Sequence, residues 1–276
     1  MSKTPGRKIA LGKAALGKAA FSLWVLASCV PLLLLVVLSG SIFWPYPDLL
    51  PRDFSFEYHR RVFGDARAFA AIGTSLALGF SSSLLTLAVS IPAGKALAHY
   101  DFAGKSVVKI LSLVPMVVPG VVVTIGCHLS MIRLGLTNSF FGVVLIHSIF
   151  ALPFGIRIMC NVFEIVGTRL QEQARVLGAG PAFTFFRVTL PQIVPGAQAA
   201  AILGFTISIA QYITTLMIGG GRIITITVLL VPHMGSGQTH IASVYSLLLI
   251  VAAVASLSLM ETAVRRFYLN APYVIG

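Results

Sequence analysis

The chain has 276 residues, of which 57% are hydrophobic and only 10% charged, whereas a soluble domain carries about 25% charged residues. So few charged side chains cannot cover a water-facing surface, and a mean hydropathy of +0.93 points to the membrane as solvent. The net charge of +12 fits basic residues flanking membrane spans; no basic face or RNA motif accompanies it, which excludes a nucleic-acid partner.

Six apolar stretches, taken in chain order, approach the roughly 20 residues that a spanning helix needs. The first, 21–44, follows a basic segment over residues 1–20 that contains the repeat LGKAALGKAA. Its apolar run exceeds the roughly 7–15-residue core of a signal peptide, so it reads as a retained anchor. The basic segment suits an anionic leaflet. Residues 45–67, PYPDLLPRDFSFEYHRRVFGDAR, form a Pro-rich loop on the other side.

The second span, 72–92, carries Ser75, Gly79, Ser82, Ser83, Thr86 and Ser90 on one face. Small and hydroxyl residues at this spacing are what helix–helix packing in a membrane uses. Gly104-Lys105-Ser106 looks like the end of a phosphate-binding loop, but His99 stands where that loop needs its first glycine. The third span is 110–132 and the fourth 134–156, with a gap so short that the two must form a hairpin. They contain His128 and His147. An ionisable group within the membrane raises a functional hypothesis; a neutral imidazole satisfied by a neighbouring helix is the default. Cys29, Cys127 and Cys160 form no C-x-x-C pair and read as small buried hydrophobes.

Residues 157–195 make the longest loop. Within it, 170–177 reads as a helix with Glu172 and Arg175 three apart. Gly178 and Gly180 break it, and Pro181 suits the first position of a second helix. That helix, about 181–190, places Ala182, Phe185, Phe186 and Thr189 on one stripe, and Pro191 and Pro195 stop it. Aromatic side chains there either pack on the protein's own helix ends or fill a partner's groove.

The fifth span, 196–218, carries Gly204, Ser208, Gln211, Tyr212 and Thr215 on one small and polar face. This face either packs against helices or lines a pathway; Gln211, costly in lipid, supports the second. The apolar run 223–231 is too short to cross, so it is external or re-entrant. The sixth span, 241–260, ends at Glu261 and the Arg265-Arg266 pair. With both termini in the cytoplasm, 14 of the 20 Lys and Arg fall on the cytoplasmic side, as the positive-inside rule requires. The 157–195 loop is then cytoplasmic.

That loop resembles the "EAA" loop of type I ABC-importer permeases, the binding-protein-dependent inner-membrane components. The family pattern is E-A-A, three residues, G, nine residues, I-x-L-P. Here Glu172-Gln173-Ala174 is followed by Gly178 and then by Val188-Thr189-Leu190-Pro191. Gln173 and Val188 depart from it, keeping helical and apolar character. The six-span layout matches over 68–266, which the resemblance makes a permease core of five spans, with 267–276 as a cytoplasmic tail. The expected fold is thus an all-α integral membrane protein of six helices.

The resemblance implies that Glu172, Ala174, Gly178, Pro181, Phe185, Phe186, Leu190 and Pro191 couple the chain to a cytoplasmic ATP-binding-cassette ATPase dimer. ATP and Mg would be bound there, leaving this chain without a cofactor. It also implies a second permease subunit, a periplasmic solute-binding protein and the inner membrane. Ser208, Gln211, Tyr212, Thr215, His128 and His147 are the solute-pathway candidates. The implied solute is a small organic molecule of the polyamine, thiamine and phosphonate group.

Two other classes remain. An ion-coupled transporter or channel would need no ATPase, but no Asp or Glu lies well inside a span to relay protons. A membrane enzyme would need a metal or acid–base constellation; the six histidines show no H-x-x-x-H or H-E-x-x-H spacing.

Overall fold

The computed structural model describes residues 5–45 and 47–269; the start of the basic segment (1–4) and the end of the tail (270–276) lie outside the described residues. The elements in order are α1 (Pro5–Gly40), β1 (Ser41–Phe43), β2 (Asp53–Phe54), α2 (Glu57–Phe63), α3 (Ala66–His99), α4 (Lys105–Val117), α5 (Gly120–Arg133), α6 (Phe140–Val166) and α7 (Arg169–Val176). There follow α8 (Pro181–Phe183), a π-helical stretch Thr184–Thr189, α9 (Leu190–Ile209), α10 (Ile213–Gly219), α11 (Ile226–Gly235) and α12 (Thr239–Leu269). Among the described residues, five helices are long and apolar enough to cross a membrane, and six if the bent pair α4–α5 counts as one span. The described residues are therefore all-α and membrane-spanning, apart from one short hairpin.

The chain falls into two compact units, Met1–Asp65 with His233–Leu248, and Ala66–Pro232 with Leu249–Gly276. In the first, α1 ends at Gly40 rather than at residue 44, because Ser41–Phe43 turns into a strand paired antiparallel with Asp53–Phe54. His240 fastens this turn: its Nδ1 lies 2.9 Å from Ser41 Oγ and 3.1 Å from the Leu38 carbonyl. Its ring stacks on Tyr58 with centroids 5.7 Å apart. Cys29, expected to be buried, is exposed on α1.

The second unit is built on α3, α6 and α9. The small face of α3 is buried, as its spacing implies, and lets the helices approach closely. A Cβ on Gly79 would stand 2.7 Å from the Phe205 ring, and one on Gly155 would collide with Ser90. Ser83 Oγ donates to the Ala201 carbonyl at 2.8 Å, and Ser148 Oγ to the Ser82 carbonyl at 3.2 Å. Such interhelical bonds average about 0.6 kcal/mol each in a membrane. The apolar part of this core gathers Leu78, Val143, Ile146 and Ile218 at one level and Met159, Phe163 and Ile193 at another.

Four expected elements are corrected. The span at 110–132 is bent by 109° between α4 and α5: Val118 is extended, and Pro119 can neither donate a helical bond nor let its predecessor stay helical. The fourth span begins at Phe140, where Ser139 Oγ accepts the Gly142 amide at 3.0 Å, and runs through Arg157 to Val166. The fifth is interrupted between Ile209 and Ile213. The helix opened by Pro181 is not stopped by Pro191 but continues to Ile209. Its π stretch shows how: the Leu190 amide donates to the Phe185 carbonyl, five residues back. The widened turn gives the Pro191 ring room it would lack against the carbonyl four residues back.

Candidate functional site

The loop after α6 is closed by backbone chemistry. The Gly178 amide donates to the Arg175 carbonyl at 3.0 Å, and the Ala179 amide to the Ala174 carbonyl at 2.9 Å. These bonds, with Gly178 at φ +85°, form a Schellman motif. The spacing of Ala174 and Gly178 is the spacing this cap needs. Gly180 then leads into the next helix, with Pro181 at its first turn and the Thr184 amide and hydroxyl both donating to the Gly180 carbonyl. Glu172 and Arg175 are both exposed on α7 and are not joined to each other.

The apolar stripe of the second helix is not the one its α-helical spacing implies. Thr189 is buried with Thr184, Phe185 is half-buried, and Ala182 and Phe186 are exposed. Phe183, absent from the expected stripe, stands three residues before Phe186, a helical neighbour, and both are exposed, at 59% and 62%. Val176 and Leu177, each 87% exposed, add to the apolar surface of the loop. Phe185 meets Phe186 edge-on with ring centroids 5.2 Å apart. Leu190 and Pro191 are half-buried at the start of α9. No sequence cue marks the π turn except Pro191 itself.

The polar face expected along one fifth span is split by the break. Ser208 lies on α9, Thr215 on α10, and Gln211 and Tyr212 in the non-helical link. His147 of α6 bridges the break: its ring nitrogens lie 2.8 Å from Ser208 Oγ and 3.1 Å from Thr215 Oγ1. All three side chains are buried, so they act as a strut within the subunit rather than facing open space. The Gln211 carbonyl accepts hydroxyls of Thr215 at 2.9 Å and Thr227 at 3.0 Å. Its side-chain Oε1 accepts Thr214 Oγ1 at 3.0 Å, and that hydroxyl lies 3.1 Å from Thr124 Oγ1. His128, half-buried on α5, makes no hydrogen bond among the described residues.

Gln211 lines a cavity. A cleft of about 420 Å³ lies where the two breaks meet, lined by Val118, Pro119 and Gly120, by Phe150 and Phe154, and by Gln211. Broken helices buried in protein are where membrane transporters expose backbone polar groups. The Pro119-Gly120 pair is a turn signal that marks the first break; Ala210-Gln211-Tyr212 carries none. Among the described residues no cluster of His, Cys, Asp or Glu could hold a metal ion.

Residues 87–267 match the model of the family described as "Binding-protein-dependent transport system inner membrane component". A molybdenum transport system permease protein of Azotobacter vinelandii is 35% identical over 164 residues, covering 55% of this chain and 73% of that protein. A molybdate/tungstate transport system permease protein of Pyrococcus abyssi is 31% identical over 147 residues, 53% of this chain and 59% of its own length. A spermidine/putrescine transport system permease protein of Haemophilus influenzae is 22% identical over 215 residues, 78% and 84% of the two chains. In fold, the chain is similar to one chain in the crystal structure of a bacterial ABC transporter that imports the acidic polysaccharide alginate. The TM-score is 0.69 with 17% identity, over 97% of this chain and 99% of that one.

Proposed function

The chain belongs to the binding-protein-dependent transport system inner membrane components, and from that premise we propose how this type I ABC-importer permease is coupled and what it carries. It is a multi-pass protein of the bacterial inner membrane. In our reading α4 and α5 together make one of six spans, both termini are cytoplasmic, and 68–266 is the permease core. A separate ATPase dimer binds ATP and Mg and docks on the 172–191 loop. A second permease subunit completes the pathway, and a periplasmic solute-binding protein delivers the solute.

One observation carries this reading. The Schellman cap at Gly178 and the π turn before Pro191 together leave Phe183 and Phe186 exposed on a rigidly closed loop. Aromatic side chains so presented gain most when a partner's groove buries them. ATP then need only bias an equilibrium between two packings of the same helices. The test is ATP-dependent uptake by proteoliposomes containing the permease, its ATPase and its binding protein. Phe186→Asp should abolish uptake while leaving membrane insertion intact, since it forces a charge into an apolar groove; uptake at the wild-type rate would refute the docking role. An ion-coupled mechanism is not favoured, as the matched relatives are named transport-system permeases.

Within the polyamine, thiamine and phosphonate group, the cleft at Gln211 fits the anionic branch best. None of its lining residues is acidic, so a polyamine would find no counter-charge there. The first residues of α5 also point their uncapped N-terminal end toward it. The solute we propose is a small tetrahedral oxyanion, the chemistry shared by a phosphonate and by the molybdate named for two relatives.

A further inference from the structure

A second polar cleft, of about 150 Å³, lies between the C-terminal turn of α3 and the start of α7, away from the Gln211 cavity. Lys95 and Tyr100 line it from the α3 side, and Thr168, Gln171, Glu172 and Arg175 from the α7 side. Gln171 is only 5% exposed, and its Nε2 is buried without a hydrogen-bond partner. A buried amide donor left unmade is rare enough in folded proteins to need an explanation. Lys95 and Arg175 have no ion-pair partner among the described residues. Thr168 occupies the N-cap position of α7 but makes no side-chain cap bond, so its hydroxyl is free to serve a ligand. His99 is already committed, with Nε2 donating to the Phe163 carbonyl at 2.9 Å.

The cleft thus gathers two cations, an orphan amide N–H, two hydroxyls and the positive end of a helix against one carboxylate, the exposed Glu172. A water's share of liquid volume is about 30 Å³, so the space suits a small ion rather than a sugar. We infer that this cleft binds a small tetrahedral oxyanion, with Gln171 and Lys95 as its principal donors. The bound anion ties α7 to α3. If the loop is cytoplasmic, an assumption that rests on the functional reading above, the site samples cytoplasmic anions and holds the first half of the coupling loop against a span.

The test uses the full chain alone in neutral detergent, without the ATPase, so that its outcome is independent of docking. Inorganic phosphate and then molybdate are titrated by calorimetry. In parallel, native mass spectrometry follows chain taken from bilayers containing phosphatidylglycerol. Saturable phosphate binding, weakened about tenfold or more by Gln171→Leu and by Lys95→Gln but not by Lys109→Gln, supports the site with a free anion as ligand. Retention of phosphatidylglycerol by wild type and its loss in Lys95→Gln supports the same site with a lipid phosphate as ligand. Absence of both, or binding unchanged in both variants, overturns the proposal.

Discussion

The Ala179 amide donates to the Ala174 carbonyl at 2.9 Å and closes α7 around Gly178, whose φ is +85°. A β-branched side chain in this backbone region is a genuine outlier, costing about 1–2 kcal/mol. No neighbour lies within 4 Å of the missing Cβ, so the cost comes from backbone strain alone. We predict that Gly178→Val inserts and folds but loses ATP-linked uptake, because the second helix no longer leaves the cap at its native angle. Gly178→Asn, which tolerates the left-handed region, should keep most of it. Equal, wild-type uptake by both variants would show that the cap is not needed for coupling.

His147 holds Ser208 and Thr215 across the break between α9 and α10. Thr215 keeps its bond to the Gln211 carbonyl without the ring, but Ser208 Oγ loses its partner on α6. His147→Leu should therefore cost about 1–2 kcal/mol, read as a lower thermal midpoint of the detergent-solubilised chain. An unchanged midpoint would mean that the strut contributes nothing to holding the broken span.

The contact of Gly79 with Phe205 can be tested by overpacking and relief. Gly79→Val places a methyl-bearing carbon against the ring and should destabilise by about 1–3 kcal/mol. Adding Phe205→Ala should return part of that loss, although the single Phe205→Ala is itself destabilising. Strictly additive losses in the double variant would argue against direct contact.

Gln211 is where the solute proposal is most exposed. Gln211→Glu adds a carboxylate to a cleft that has none, and uptake of an oxyanion should fall more than about tenfold. ATPase association should be unchanged. A variant that transports an oxyanion as well as wild type would remove this cleft from the pathway.

Much of the fold was legible because membrane helices must be long and apolar: α3 and α12 lie where their apolar runs are, with ends extended by several residues, and α6 overlaps its run but starts later and ends later. The cap at Gly178 was legible too, since glycine is the residue that spacing from Ala174 demands. Breaks were harder. Pro119-Gly120 announced the bend between α4 and α5, but hydropathy averages over a kink and reads one span. The link at Gln211 has no breaker residue; its carbonyl is held by a local bond from Thr215, four residues on, and by a tertiary one from Thr227. Phe183 is the i,i+3 neighbour of Phe186, and the stripe of Ala182, Phe185, Phe186 and Thr189 leaves it out. His147 gave only its identity; its partners came from two helices that sequence spacing does not bring together.

The most direct measurement is co-purification of the ATPase subunit with the tagged permease from detergent-solubilised membranes, comparing wild type, Phe186→Asp and Phe183→Asp. We predict stoichiometric ATPase with wild type, and its loss in both variants at unchanged permease yield. ATPase retained in both would contradict docking on this loop and return its aromatic surface to another role.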